Sequence, residues 1–233
     1  MSWQLEKTGG PFWRRKRQSA CGAWLDGQDI VLAALSWQKT GGIRVMGYEH
    51  LHRQQGLTQA LRSLGAQLPT TGRTLVLALA EGLSRRGLFD WAGARDMRRL
   101  QAEVQLEAAA AWGVGPHEVC FDFRLEPVPA GEGPSTQQVR WAACLREELQ
   151  TWQLQVRTAG WRLPGVETED QALQRAFLHL RGDAPQHRAD SARDWQFAST
   201  PQRQSDAPDG APLPSAAMCR PLAACGAALV ALL

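Results

Sequence analysis

The order of elements legible in the chain predicts a mixed α/β fold, and three observations carry that expectation. Three short apolar runs near the start are separated by turn chemistry, which reads as an antiparallel meander. A segment with apolar residues at helical spacing follows, at Leu57, Leu61 and Leu64. Residues 74–80 are then apolar almost without interruption, as expected of a strand covered on both faces of its sheet.

Taken in order, residues 21–25 form the first apolar run, Asp26-Gly27-Gln28-Asp29 a turn, and residues 30–35 the second run. Asp-Gly between two apolar runs is a strong hairpin signal. Thr40-Gly41-Gly42 supplies a second turn and residues 43–48 a third strand. A polar loop containing Gly and Pro separates the first helix from the strand at 74–80. Three antiparallel strands, a helix and a further strand is the order of ribonuclease H-like and actin-like folds, although such orders recur. Residues 96–112 read as a long helix with the stripe Leu100, Val104, Ala108 and Ala111. Residues 119–125 alternate as a strand does, 139–145 form another, and 146–159 a helix closed by Gly160. A short strand at 164–166 leads into a helix over 168–180. From about 182 to 215 the composition turns to Asp, Gln, Ser, Pro, Arg and Ala, that of a disordered or loosely packed linker. A terminal helix is expected over 216–233, and no internal repeat is visible.

The 233 residues suffice for one large domain or two small ones, and 44% hydrophobic against 21% charged is a soluble globular balance. Ten tryptophans against one tyrosine read as drift in an Arg- and Ala-heavy sequence, not as a binding signature. A net charge of +3 gives no case for nucleic acid from the whole molecule. The charge is uneven, however: Arg14, Arg15, Lys16 and Arg17 form a basic run beside Trp3, Phe12 and Trp13. That run has three readings: contact with anionic lipid at about 1 kcal/mol per cation, weak salt-sensitive contact with nucleic acid, or a solvated tail.

Cys21, Cys120, Cys144, Cys219 and Cys225 make no CxxC pair and have no His at metal-ligand spacing, so no zinc site is expected. Cys21, Cys120 and Cys144 sit in apolar runs as small hydrophobes, consistent with a reducing cytoplasm. Asp26 and Asp29 interrupt any secretory core, and the apolar residues 221–233 fall short of the ~20 a spanning helix needs. Glu103 and Glu107 lie one helical turn apart and read as a solvated face. His50 and His52 share a strand face without a third ligand, and Ser84 and Ser191 lack a nucleophile elbow. No active site is assembled by these residues.

Several segments carry a resemblance. Pro11-Phe12-Trp13-Arg14-Arg15-Lys16-Arg17 is an aromatic-basic lead-in, and Gly22-Ala23-Trp24-Leu25-Asp26-Gly27 follows it. Further on come Glu103-Val104-Gln105-Leu106-Glu107-Ala108, Glu118-Val119-Cys120-Phe121-Asp122-Phe123 and Trp141-Ala142-Ala143-Cys144. After these stand Ala159-Gly160-Trp161, Val166-Glu167-Thr168-Glu169, Gln171-Ala172-Leu173-Gln174-Arg175-Ala176-Phe177 and Ala223-Ala224-Cys225-Gly226-Ala227-Ala228-Leu229. In order and spacing these resemble the type IV pilus assembly PilM family, including its shorter HofM-type relatives linked to DNA uptake.

The resemblance implies an α/β, actin-like (FtsA-like) fold in reduced form. The implied parts are a basic aromatic tail over 1–18, a first lobe over 19–82 and an inserted subdomain over 83–160. A remnant of the second lobe (161–181), a linker (182–215) and a closing helix (216–233) would complete the chain. Trp24, Asp26 and Gly27 stand where the family has its first phosphate loop, with Trp24 in place of the metal-coordinating Asp in a gap-free alignment. The segment holding the second phosphate loop and adenosine site is replaced by the polar linker. A triphosphate needs two opposed loops, so Asp26-Gly27 reads as a plain hairpin turn, with no cofactor and no ATP hydrolysis expected.

The family further implies a cytoplasmic adaptor, peripheral on the inner membrane, for pilus biogenesis or competence. Its groove would receive the N-terminal peptide of a PilN-like inner-membrane protein, with Leu100, Val104, Phe121 and Phe123 as expected walls. The bland alternative makes both phenylalanines core. An anionic lipid surface touched by Phe12, Trp13, Arg14, Arg15, Lys16 and Arg17 and a second copy of the chain are further partners to consider, with no specific nucleic acid. The rival readings are a diverged ATP-binding PilM-type protein and the cytoplasmic scaffold of a type II secretion system.

Overall fold

In the computed structural model, residues 19–38, 42–52, 56–67, 73–92, 96–126, 137–180 and 216–232 are described. The tail with Phe12 to Arg17 and the linker at 182–215 lie outside them.

Strands β1 (Ser19–Leu25), β2 (Asp29–Gln38) and β3 (Gly42–His52) form the expected meander. The third strand runs past the expected residue 48 because Leu51 and His52 continue to pair with Ile30 and Asp29. Helix α1 (Leu57–Gln67) leads to β4 (Thr74–Leu79), which lies parallel to β1, and β8 (Arg162–Thr168) adds parallel to β4. The result is a five-stranded mixed sheet in the order β3-β2-β1-β4-β8.

Both central strands are buried along their whole length, and their alternation explains why. Cys21, Ala23, Leu25, Leu75, Leu77 and Leu79 pack toward α1 and α3 (Arg146–Thr158), with Trp152 and Val156 filling the layer. Ala20, Trp24, Val76 and Ala78 face the other way, toward α4 (Glu169–Leu180) and α5 (Ala216–Leu232). Strand periodicity with two apolar faces yields a continuously apolar run.

Helix α5 sits close on β1. A Cβ on Gly22 would lie 2.0 Å from the Ala224 carbonyl oxygen, and one on Gly226 would lie 1.9 Å from that of Ala172 in α4. Two glycines therefore let three backbones meet.

Between β4 and α3 the chain inserts a second, smaller sheet, β5-β7-β6, built from β5 (Arg85–Trp91), β6 (Val119–Glu126) and β7 (Gln137–Leu145). Helix α2 (Met97–Trp112) covers one face of it, starting at Asp96, whose Oδ1 accepts from the backbone N–H of Arg98 and Arg99, both at 3.1 Å. Gly113 ends that helix in the left-handed region at φ 67°. Leu100, Val104 and Ala108 are buried as expected, joined by Ala109, whereas Ala111 is exposed.

The packing redraws two expected boundaries. Helix α3, assigned to the inserted unit from sequence, packs against the large sheet beside α1. Residues 161–180, expected as a remnant of a second lobe, supply the fifth strand of the large sheet and a helix on its face.

Candidate functional site between the two sheets

The turn of the β1–β2 hairpin holds Asp26 and Gly27, which the resemblance sets at the family's first phosphate loop and which read as a plain turn. Asp26 there organises the turn: its Oδ1 accepts from the N–H of Gln28 at 2.7 Å and of Asp29, and its own N–H donates to the Asp29 carbonyl at 3.1 Å. Trp24 is 4% exposed, so its indole belongs to the core. Arg220 of α5 reaches across, donating from Nη1 to Asp29 Oδ2 at 2.9 Å, with Nη2 3.9 Å from Asp26 Oδ2. Its guanidinium also lies 4.8 Å from the centre of the Trp24 ring.

His52 Nδ1 is 2.9 Å and His50 Nε2 3.6 Å from Asp29 Oδ1. Burial alone would raise the Asp29 carboxyl, but the hydrogen bond from His52 and the charges of both histidines and Arg220 hold it below its ordinary range. The hairpin carboxylates thus already have a cation from their own chain. Among the described residues no group of three His, Cys, Asp or Glu is placed to hold a metal ion.

A concavity lies elsewhere. A cleft of about 700 Å³ opens between β8 and the face of the small sheet opposite α2. One wall is the whole of β8, from Arg162 to Thr168. The other is the face carrying Arg86, Leu88, Asp122, Arg124, Arg140 and Ala142, which the register sets side by side. Leu149 and Gln153 of α3 line the cleft too, as do Cys120 and Cys144, opposite one another on β6 and β7. Burial pushes the Cys144 thiol up to about 12 and raises Cys120 as well, so both stay protonated and unreactive near neutrality.

An ion pair between Arg86 of β5 and Asp170 at the start of α4 joins the two units beside the cleft. Arg140 and Arg124 both contact Glu126, Arg140 through two bonds of 2.9 and 3.0 Å. Hydrogen bonding from Arg140 in turn holds Glu126 below its ordinary range against the opposing effect of burial.

The expected groove residues fall differently from the sequence reading. Leu100 and Val104 are 1% and 0% exposed in the core between α2 and the small sheet, so they cannot wall an open groove. Phe121 and Phe123 contribute to the cleft lining, yet pair with Ala143 and Trp141 on the face packed against α2. Arg86, Arg140 and the edge of β8 were missed as site residues. Arg86 and Arg140 are surface-like arginines on strands, with no local signal to mark them. Glu103 and Glu107 are exposed on α2, as a solvated face requires. Among the described residues no helix is long and apolar enough to cross a membrane.

No family model matches the sequence, and no curated protein matches it. Solved structures do. A chain of the PilM–PilN type IV pilus biogenesis complex is similar at 19% identity and TM-score 0.52, over 70% of this chain and 52% of that one. The cytoplasmic domain of EpsL, an inner membrane component of the type II secretion system of Vibrio cholerae, is similar at 14% identity and TM-score 0.46. That likeness covers 66% of this chain and 58% of that one. The chain therefore spans about half the length of the chain it matches in the pilus complex, and it shares the mixed α/β fold of that chain.

Proposed function

We propose that this chain is a non-catalytic scaffold of a type IV pilus or DNA-uptake machine, working on the cytoplasmic face of the inner membrane. Its role is to hold the cytoplasmic N-terminal tail of a PilN-like membrane protein in the cleft between β8 and the small sheet. The observation that carries this reading is the cleft itself: about 700 Å³, with a strand edge along one wall that no described strand pairs with, in a fold shared with a chain of the PilM–PilN complex. Pockets of this size suit a short peptide, and sheet edges are a recurrent peptide-docking surface.

The absence of nucleotide chemistry belongs to the same proposal. Support comes from the hairpin carboxylates, which are engaged by Arg220, and from Trp24, buried where the family's metal-binding Asp would stand. A magnesium–nucleotide would have to displace a guanidinium tied to its own helix. A titration and a pull-down test the proposal. Isothermal titration with ATP and Mg²⁺ should give no saturable heat, and clear saturation overturns the non-nucleotide reading. Pull-down with the N-terminal peptide of the PilN-like protein should retain the chain, and no retention at high micromolar concentration counts against docking.

A further inference from the structure

We propose that the occupant of the cleft is an extended segment carrying an acidic side chain, which lies along the edge of β8 and sets its carboxylate on Arg86 and Arg140. This rests on the reading of the cleft as a docking site and adds the chemistry of the occupant.

The first observation is the edge. β8 pairs with β4 alone among the described strands, and all seven of its residues line the cleft. An edge strand presents a row of N–H and C=O groups ready to pair with an added strand. Beyond Pro164 the edge runs through Gly165, Val166, Glu167 and Thr168. Leu163, Val166, Leu149 and the 49% exposed Leu88 supply apolar contact on both sides of that stretch.

The second observation is charge. Four arginines line the cleft: Arg86, Arg124, Arg140 and Arg162. Of the lining acids, Glu167 is already held by both terminal nitrogens of Arg175, each at 2.7 Å. That leaves Asp122, Asp170 and the adjacent Glu126 for four guanidiniums, an excess of one cation that an acidic ligand would complement.

The third observation places the anchor. Arg86 pairs with Asp170 across the cleft while both side chains stay more than half exposed, and the charge of Asp170 also acts on Arg140. Arg140, held by Glu126 through two hydrogen bonds, stands on the same strand face as Arg86, so one guanidinium is paired with Asp170 and the other with Glu126 on the same wall. An incoming carboxylate can join or replace Asp170 through charge-assisted hydrogen bonds, for which arginine is well shaped.

The test displays random twelve-residue peptides against the full chain, then measures the enriched sequences by fluorescence polarisation. Three variants accompany the parent: the double substitution Arg86→Gln with Arg140→Gln, Asp170→Asn, and Gly165→Phe. A Cβ at Gly165 meets nothing within 4 Å, so a phenylalanine there fills open space without forcing the backbone, and thermal melts confirm that each variant is folded. The expected result is enrichment of alternating apolar sequences with Asp or Glu. The double glutamine should weaken them about tenfold or more, Asp170→Asn should tighten them, and Gly165→Phe should abolish binding. Neutral or basic peptides that are blocked by Gly165→Phe but indifferent to the glutamines would overturn the acidic anchor and leave docking standing. No enrichment, or binding untouched by Gly165→Phe, would sink both.

Discussion

Replacing Gly22 with alanine should detach much of the closing layer, because the contact it breaks is between backbones. The new Cβ would sit 2.0 Å from the Ala224 carbonyl oxygen and 2.4 Å from the Ala228 nitrogen. Neither atom belongs to a side chain that can rotate aside. Restoring ordinary contact requires α5 to withdraw by about 1.5 Å, and a gap of that size forfeits roughly half or more of the dispersion attraction across it. The face concerned includes Leu222, Ala223, Ala224, Cys225, Ala227, Ala228 and Leu229, all buried. Overpacking costs typically 1–3 kcal/mol, and with rigid backbone on both sides the upper end, about 3 kcal/mol, is expected. For a chain of this length that corresponds to a fall in Tm of about 6–12 °C.

Thermal unfolding followed by circular dichroism measures the fall, with Gly27→Ala as control. Gly27 has nothing within 4 Å of an added Cβ and its φ lies outside the left-handed region, so its replacement should be nearly neutral. A Gly22→Ala protein as stable as the parent would refute the placement of α5 on β1.

Three further outcomes follow from the same contacts. Gly226→Ala should behave like Gly22→Ala, since its Cβ would meet the Ala172 carbonyl oxygen at 1.9 Å, and the two effects should not add if both unseat α5. Arg175→Met should destabilise by about 2–4 kcal/mol, because it leaves Glu167, whose side chain is 10% exposed, without its bidentate partner and removes the bond from Arg175 to the Gly226 carbonyl; adding Glu167→Gln should recover part of the loss. Burial raises the Glu167 carboxyl, with Arg175 opposing, so the folded form binds its proton more tightly than the unfolded chain. Stability from this group is therefore greatest in acid and lost as pH rises above the ordinary carboxylate range, and urea titrations across that range should show a steeper loss in Arg175→Met than in the parent.

What the sequence made legible were the features whose cause is local. The Asp26-Gly27 turn, the two-faced apolar runs of β1 and β4, and the capped helix α2 each announce themselves within about a dozen residues. β5 escaped notice because Gly87 and Asp90 blur its alternation. Gly87 stands at an inward position where the Trp141 ring already fills the space, at 2.4 Å from a notional Cβ, so the apolar mark that would reveal a strand is supplied by another strand.

The site was less visible still. Helix α2 shows its stripe plainly, but nothing local says which face of the small sheet it covers, and the cleft lies on the other one. Arg220 and Asp29 are 191 residues apart in the chain, so the cation that occupies the hairpin could not be found by spacing. Long-range pairs of this kind are fixed by topology, and topology emerges only when all five strands of the large sheet are in order.

The most direct measurement is an amide NMR titration of the full chain with the N-terminal peptide of the PilN-like protein. Docking in the cleft requires shifts that cluster on Gly165, Val166 and Thr168 of β8 and on Asp122 and Ala142 across from them, and that vanish in Gly165→Phe. Shifts gathered instead at Asp26 and Asp29, or none at saturating peptide, would contradict it.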